Sequence, residues 1–195
     1  MQQADDIQFE SAGIAELSRD PEWWDIYEHS FPPEEREPPR VILDSVASGA
    51  GLAFRARRGG ATAAIATTHL LHRPPAVFLV YLAVESGRRN TGTGGKLLEY
   101  TWSASAEKLR ERGIHPLGLV WEVDPPGSGA FPASDGLRQR RISFFETHGG
   151  ILLCRPYLQP PVNGPESVPM RLMFRPAGGS MPDAATIEGL VRGIY

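Results

Sequence analysis

The sequence predicts an α+β protein built on one mixed, mostly antiparallel sheet flanked by helices. Three observations predict it. Strand-like runs at 51–57, 61–71 and 77–84 follow one another between turn signals, the pattern of an antiparallel meander. Beyond residue 93 the apolar spacing changes, and the order becomes strand, helix, strand, helix, strand, which belongs to an α+β fold. The run Val77 to Val84 (VFLVYLAV) is apolar throughout, as in a strand buried on both faces in mid-sheet.

Taken in order, residues 7–10 read as a short first strand. Pro21 to Ser30 reads as an amphipathic helix with Asp20 as N-cap, Pro21 at the first helical position, and Trp23, Ile26 and Tyr27 on one face. Trp23 and Trp24 are adjacent, so one faces the core and the other faces solvent, a partner or a substrate. A second helix is expected over about 38–48, with Val41, Leu43 and Val46 inward and Gly49 or Gly51 as its stop. After the meander, 94–112 carries Leu98, Trp102, Ala106 and Leu109 near helical spacing, ending at Gly113. Pro116 to Val123 reads as a strand, 124–135 as a Pro/Gly-rich loop, and Leu137 to His148 as a helix. A strand at about 150–154 would bury Cys154; 156–169 reads as a loop, 168–174 as a last strand and 183–194 as a terminal helix with Ile187, Leu190 and Val191 inward. That helix could cap the sheet or join two copies in a homodimer.

The whole chain, 1–195, reads as one domain: an acceptor-side helical region over 1–50, a core over 51–155, and a C-terminal loop, strand and helix over 156–195. Hydrophobic residues make up 41% and charged residues 22%, which excludes a wholly disordered chain, a coiled coil and a collagen-like fibre. No apolar run approaches the ~18–20 residues of a membrane span. The first residues are acidic without an apolar core, so no secretory signal is expected. A single cysteine suits a reducing, cytoplasmic setting. A net charge of −3 without a basic run argues against a nucleic-acid partner. The histidines lack metal-ligand spacing, so no metal is expected.

The chemistry concentrates in Tyr81 to Lys96 (YLAVESGRRNTGTGGK), where a buried strand runs into a Gly-rich turn that opens a helix. Gly92, Gly94 and Gly95 leave backbone N–H groups open, and with the positive end of the helix dipole these form an anion cradle. Arg88, Arg89 and Lys96 add charge around it, which predicts a phosphate or pyrophosphate site. A Walker A loop fails, because Gly95-Lys96 is followed by Leu97 and the position five before Gly95 is Asn90. A dinucleotide fingerprint fails at its third glycine, also occupied by Leu97. A nucleotide-binding module with the same cradle is the outlying reading.

Arg89-x-x-Gly92-x-Gly94 after Leu82-Ala83-Val84 resembles the pyrophosphate-binding motif of the GNAT superfamily of acyl-CoA-dependent N-acyltransferases. Arg141 to Gly149 (RISFFETHG) resembles that family's later helix, and the likeness covers roughly residues 51–155. It implies a GNAT-like sheet with a splay between the fourth and fifth strands, and transfer of acetyl from acetyl-CoA to a small-molecule or peptide amine in a ternary complex. It also implies cofactor contacts from Leu82, Ala83, Val84, Arg89, Asn90, Thr91, Gly92, Thr93, Gly94, Gly95 and Lys96. The pantetheine arm, itself an amide chain, would pair with the backbone of Leu82 and Val84 as another strand does.

One departure stands out. Phe145 occupies the position where many members carry a tyrosine that protonates the leaving thiolate, and it has no proton to give. Tyr157 is the substitute the sequence offers. Glu122, alternating away from Trp121 and Val123 on the fifth strand, is the first candidate to take the amine's proton. The loop 31–40 commonly folds over the acceptor in this family; Glu34, Glu35 and Glu37 favour a cationic acceptor and Arg36 and Arg40 an acidic one, with Glu35 and Arg36 as candidate substrate contacts. The alternative to an enzyme is an acyl-CoA-binding protein without transfer activity.

Overall fold

The structure, a computed structural model, describes residues 7–124, 132–162 and 167–194. One sheet runs in the order β1-β2-β3-β4-β5-β7-β6. Its strands are β1 (Ile7–Ala12), β2 (Gly51–Arg58), β3 (Ala61–His72), β4 (Pro75–Val84), β5 (Gly118–Val123), β6 (Ile151–Gln159) and β7 (Val168–Pro176). Every adjacent pair is antiparallel except β4–β5, so the mixed, mostly antiparallel sheet is as expected.

Two helical layers cover it. On one face α4 (Thr93–Glu111) and α5 (Pro132–Thr147) pack Leu97, Leu98, Leu109, Ile142 and Phe145 against Val77, Leu79, Trp121 and Met173. On the other, α1 (Ile14–Leu17), α2 (Pro21–Ser30) and α3 (Pro39–Ser48) bury Leu17, Trp23, Ile26, Tyr27 and Ile42 against Ala53, Ile65, Tyr81 and Ala83. The terminal helix α6 (Ala184–Ile194) seats Leu190 on the same face, over Phe78, Val120 and Phe174; it caps the sheet.

Local signals set most boundaries. Asp20 accepts the Trp23 N–H at 2.9 Å and starts α2, and Gly49 ends α3 at φ 71°, a left-handed cap that suits glycine. Of the two tryptophans, Trp23 is buried, while Trp24 anchors its indole N–H on the Leu17 carbonyl at 2.9 Å.

Three expectations need correction. In α3 the buried residue is Ile42, flanked by the partly buried Leu43 and Val46, while Val41 is 44% exposed; only Val41 departs from the expected inward face, because Ile42 takes the seat against the sheet. β6 runs on to Gln159 through Pro156, which was expected to open a loop; β6 is the sheet's edge strand, where a missing ladder N–H is tolerated. For the same reason Cys154 is exposed rather than buried. In addition α5 begins at Pro132, ahead of the expected 137, with proline at its favoured first position. The loop residues 125–131 lie outside the described residues.

Candidate active site

The parallel pairing of β4 with β5 covers Val77↔Leu119, Phe78↔Val120 and Leu79↔Trp121, then stops. A bulge causes the stop. β3 pairs Thr67 with Tyr81 and Thr68 with Leu79, leaving Val80 as the extra residue. Before it, Val77 and Leu79 face α4 and α5, and Phe78 faces α6. After it the alternation is reversed: Leu82 and Val84 face α4 and α5, and Tyr81 and Ala83 face the α1–α3 layer. Bulges re-aim side chains and end strand pairing in this way. Residues 80–84 therefore hold an edge toward β5 that no strand among the described residues fills, which is the expected splay.

The splay points at the start of α4. Gly92 is its N-cap at φ 77° and Asn90 has φ 61°, two left-handed residues that fold the turn back over the helix axis. Lys96 N–H donates to the Gly92 carbonyl at 3.2 Å, so the N–H groups of 93–95 precede the helical ladder, as at any helix start. Arg89 Nε donates to the Val84 carbonyl at 3.2 Å, and Thr91 Oγ1 to the Arg88 carbonyl at 2.8 Å. Thr93 is buried, its hydroxyl 2.9 Å from that of Thr91, whereas Arg89 and Lys96 extend into solvent. A wider basic depression lined by Arg58, Gly59, Ala61 and Arg88 flanks the turn on its hairpin side.

The turn's glycines divide their work. A Cβ on Gly92 would meet no atom within 4 Å, so its requirement is backbone conformation. A Cβ on Gly95 would overlap His148 of α5; its bareness lets α5 dock on the first turn of α4. Gly94 faces Val84 and Phe144. Sequence reasoning passed over His148, an isolated histidine near a helix end, because only tertiary packing sets it beside the cradle.

Phe145 is buried against Trp121, with ring centroids 4.6 Å apart. Tyr157 stands in β6 at the register position of Met170; its side chain lies outside the described residues, as does that of Glu34. Glu122 is half-buried on β5, one residue past the last β4–β5 pair, and Gln159 Nε2 donates to its carboxylate at 2.7 Å. Gln159, itself buried, reaches this point only because β6 continues through Pro156. The sequence held no signal for that bond.

The loop between α2 and α3 is latched to β4 and α2 by tyrosines. Tyr81 Oη donates to the Glu35 carbonyl at 2.9 Å and accepts the Glu37 N–H at 2.8 Å, while Tyr27 Oη donates to the Glu37 carbonyl at 2.9 Å. Burial pushes the Tyr81 phenol up to about 12 and the Tyr27 phenol higher, so both stay protonated as donors. Glu35 is thus held through its main chain, and Arg36 reaches the Glu28 carbonyl at 3.3 Å. Among the described residues no group of three or more His, Cys, Asp or Glu side chains is placed to hold a metal ion, and no helix is long and apolar enough to cross a membrane.

No protein-family model matches the chain, and no curated protein matches it. Solved structures do. A protein from Bacteroides thetaiotaomicron assigned to the GNAT acetyltransferases superimposes with a TM-score of 0.71 at 21% identity, over 95% of this chain and 94% of that one. An aminoglycoside 6'-N-acetyltransferase complexed with coenzyme A gives 0.61 at 16% identity, over 90% and 99%. The ribosomal-protein-S18-alanine N-acetyltransferase of Escherichia coli gives 0.54 at 24% identity, over 91% and 99%. At these identities the likeness is one of fold.

Proposed function

We propose that this chain, which has the fold of the GNAT superfamily, is a cytoplasmic N-acyltransferase that moves an acetyl group from acetyl-CoA to an amine in a ternary complex. One observation carries the reading: the strand edge freed by the Val80 bulge runs directly into the Gly-rich start of α4, where N–H groups precede the helical ladder. A ligand joining an amide chain to a pyrophosphate matches that junction. A free edge alone would suit any peptide, and a cradle alone any phosphate.

In this reading the N–H groups of 93–95, with Arg89 and Lys96, hold the pyrophosphate. Asn90, Thr91 and Gly92 shape the turn, and the main chain of Leu82, Ala83 and Val84 pairs with the pantetheine amides. Glu122 takes one proton from the incoming ammonium. The freed nitrogen lone pair bonds to the thioester carbonyl carbon, and a backbone N–H near Val84 steadies the oxyanion. The C–S bond then breaks with its electron pair on sulfur, and the thiolate takes the second proton that the nitrogen must lose, with Tyr157 as the group to relay it. Glu35 and Arg36 border the acceptor's entry. A neighbour bound to coenzyme A supports a CoA-based donor.

A second reading is an acyl-CoA-binding protein without transfer. Phe145 favours it, because the helix that could carry a proton donor to sulfur presents a ring packed in the core.

A thermal-shift titration with acetyl-CoA, longer acyl-CoAs, CoA, ATP and NAD tests the assignment. A ligand at 100 times its Kd stabilises a fold by about 2.7 kcal/mol, which for this size is a shift of about 5–10 °C. CoA ligands alone are expected to shift the midpoint; no shift with any of them overturns both readings. Acceptor-dependent release of thiol then separates the enzyme from the binding protein.

A further inference from the structure

The end of β6 reverses the usual sorting of side chains. Leu158 is 64% exposed, while Gln159 beside it is only 9% exposed. Successive strand residues point to opposite faces, and a slip of one residue would exchange the two. The strand instead covers the amide and leaves the leucine in solvent. Reversals of local pattern concentrate at functional sites, and here the buried amide has a specific partner. Gln159 Nε2 donates to the Glu122 carboxylate at 2.7 Å. The bond spans β7: Glu122 is the register partner of Leu172 and Gln159 that of Val168, so the two side chains meet on the sheet face that carries buried Met170 between those partners. An ionised carboxylate only accepts, which fixes the amide with its NH2 turned toward it.

Glu122 stands one residue past the last β4–β5 pair, where the two strands part. Trp121 and Val123 on either side of it face α4 and α5, and Val120 lies under α6. The Glu122 side chain is therefore on the sheet face away from α4 and α5. On that face β4 contributes the Tyr81 phenol, bonded into the loop between α2 and α3, and α6 carries Glu188 and Arg192 on its exposed side. Arg171 and Arg175 of β7 alternate with Met173 onto the opposite face. A half-buried carboxylate has lost part of its hydration, and a hydrogen bond to its charged form offsets that loss. The amide supplies the bond without adding a charge of its own, so the carboxylate stays anionic and able to accept a proton.

We propose that Gln159 is a positioning residue for acyl transfer, an amide on the edge strand that holds the Glu122 carboxylate fixed and charged where β4 and β5 part. It touches neither cofactor nor acceptor and acts through Glu122 alone. Its part in transfer rests on the acyl-transfer reading, with Glu122 as the group that takes the amine's proton; its hold on the carboxylate does not.

Two measurements on the full chain test it. The first follows the Glu122 side-chain carboxyl by carbon NMR across pH without any ligand, its signal assigned by its loss in Glu122→Gln. Gln159→Met keeps the length and removes the donor, and is expected to raise the titration midpoint by about one unit, the worth of a hydrogen bond to a charged group. Gln159→Glu should raise it further, because two neighbouring carboxylates resist ionising together. The second follows thiol release from acetyl-CoA with butylamine, tyramine or an alanyl peptide as acceptor. The acidic limb of kcat/KM is expected to move up with the midpoint, about a tenfold loss on that limb per unit, while the CoA-induced thermal shift stays the same. A midpoint unchanged in both variants overturns the proposal, and so does a midpoint that moves while the acidic limb stays in place. If none of the three amines releases thiol while the midpoint still follows residue 159, the transfer reading has failed and the hold of Gln159 on Glu122 stands.

Discussion

A half-buried carboxylate with no ion pair or hydrogen bond among the described residues costs stability, and Glu37 makes that cost measurable. Its folded-state pKa is raised by burial, so the native state favours the protonated form. The cost is absent below the unfolded pKa and present once pH exceeds the folded one. Glu37→Gln is therefore expected to raise the melting temperature at pH 7 and to leave it unchanged near pH 3.5, read by calorimetry at both pH values. Asp20 has the opposite sign. Burial alone would raise its pKa, but hydrogen bonds from Trp23 N–H, Arg55 and Thr62 outweigh that and lower it. Its contribution is present at neutral pH and lost as pH falls through the depressed folded value. Arg55 bonds Asp20 and Glu10 at 2.6 Å each with only 11% of its side chain exposed. Arg55→Met strands the buried Asp20 charge and should cost about 3–5 kcal/mol in urea unfolding.

At the scale of elements, the Val80 bulge and the α4 turn do different jobs with the same few residues. The bulge exposes backbone groups of β4 that would otherwise be paired, so the amides of 80–84 that face away from β3 should exchange quickly with deuterium. Saturation with CoA should slow them, while the amides of 77–79 stay protected throughout; unchanged exchange at 80–84 would place the arm elsewhere. The turn's dependence on Gly92 is conformational, since φ is 77° and a Cβ has open space. Gly92→Val is expected to cost about 1–2 kcal/mol of stability from the left-handed strain and to abolish the CoA-induced thermal shift, without unfolding the protein at 25 °C. On the edge strand β6, exposed Cys154 should react with one equivalent of a disulfide reagent in the native state.

Across the whole molecule, one sheet separates two helical layers, α4 and α5 on one face and α1, α2 and α3 on the other. The terminal helix closes the remaining sheet surface through fully buried Leu190. Leu190→Ala is expected to cost about 2–5 kcal/mol in chemical denaturation. The loss would be global because α6 bridges β3, β4, β5 and β7. The sequence by itself determined what depends on near neighbours along the chain. α2 starts at Pro21 because Asp20 and Pro21 are adjacent, β4 is central because its apolar run is unbroken, and α4 opens on a Gly-rich turn because Gly92 takes a left-handed N-cap ahead of the helix. Tertiary structure alone decided what depends on register and contact between distant segments. A one-residue bulge at Val80 leaves no mark in an apolar run, yet it opens the splay. The edge position of β6 decides that Pro156 is tolerated, Cys154 exposed and Gln159 bonded to Glu122. The sum of charges in 31–40 gave no preference for the acceptor's sign, because charge in a sequence has no direction. Folding turns Arg36 back to the Glu28 carbonyl and Arg40 outward to Asp44, and holds the main chain of Glu37 half-buried between tyrosines that come from α2 and β4.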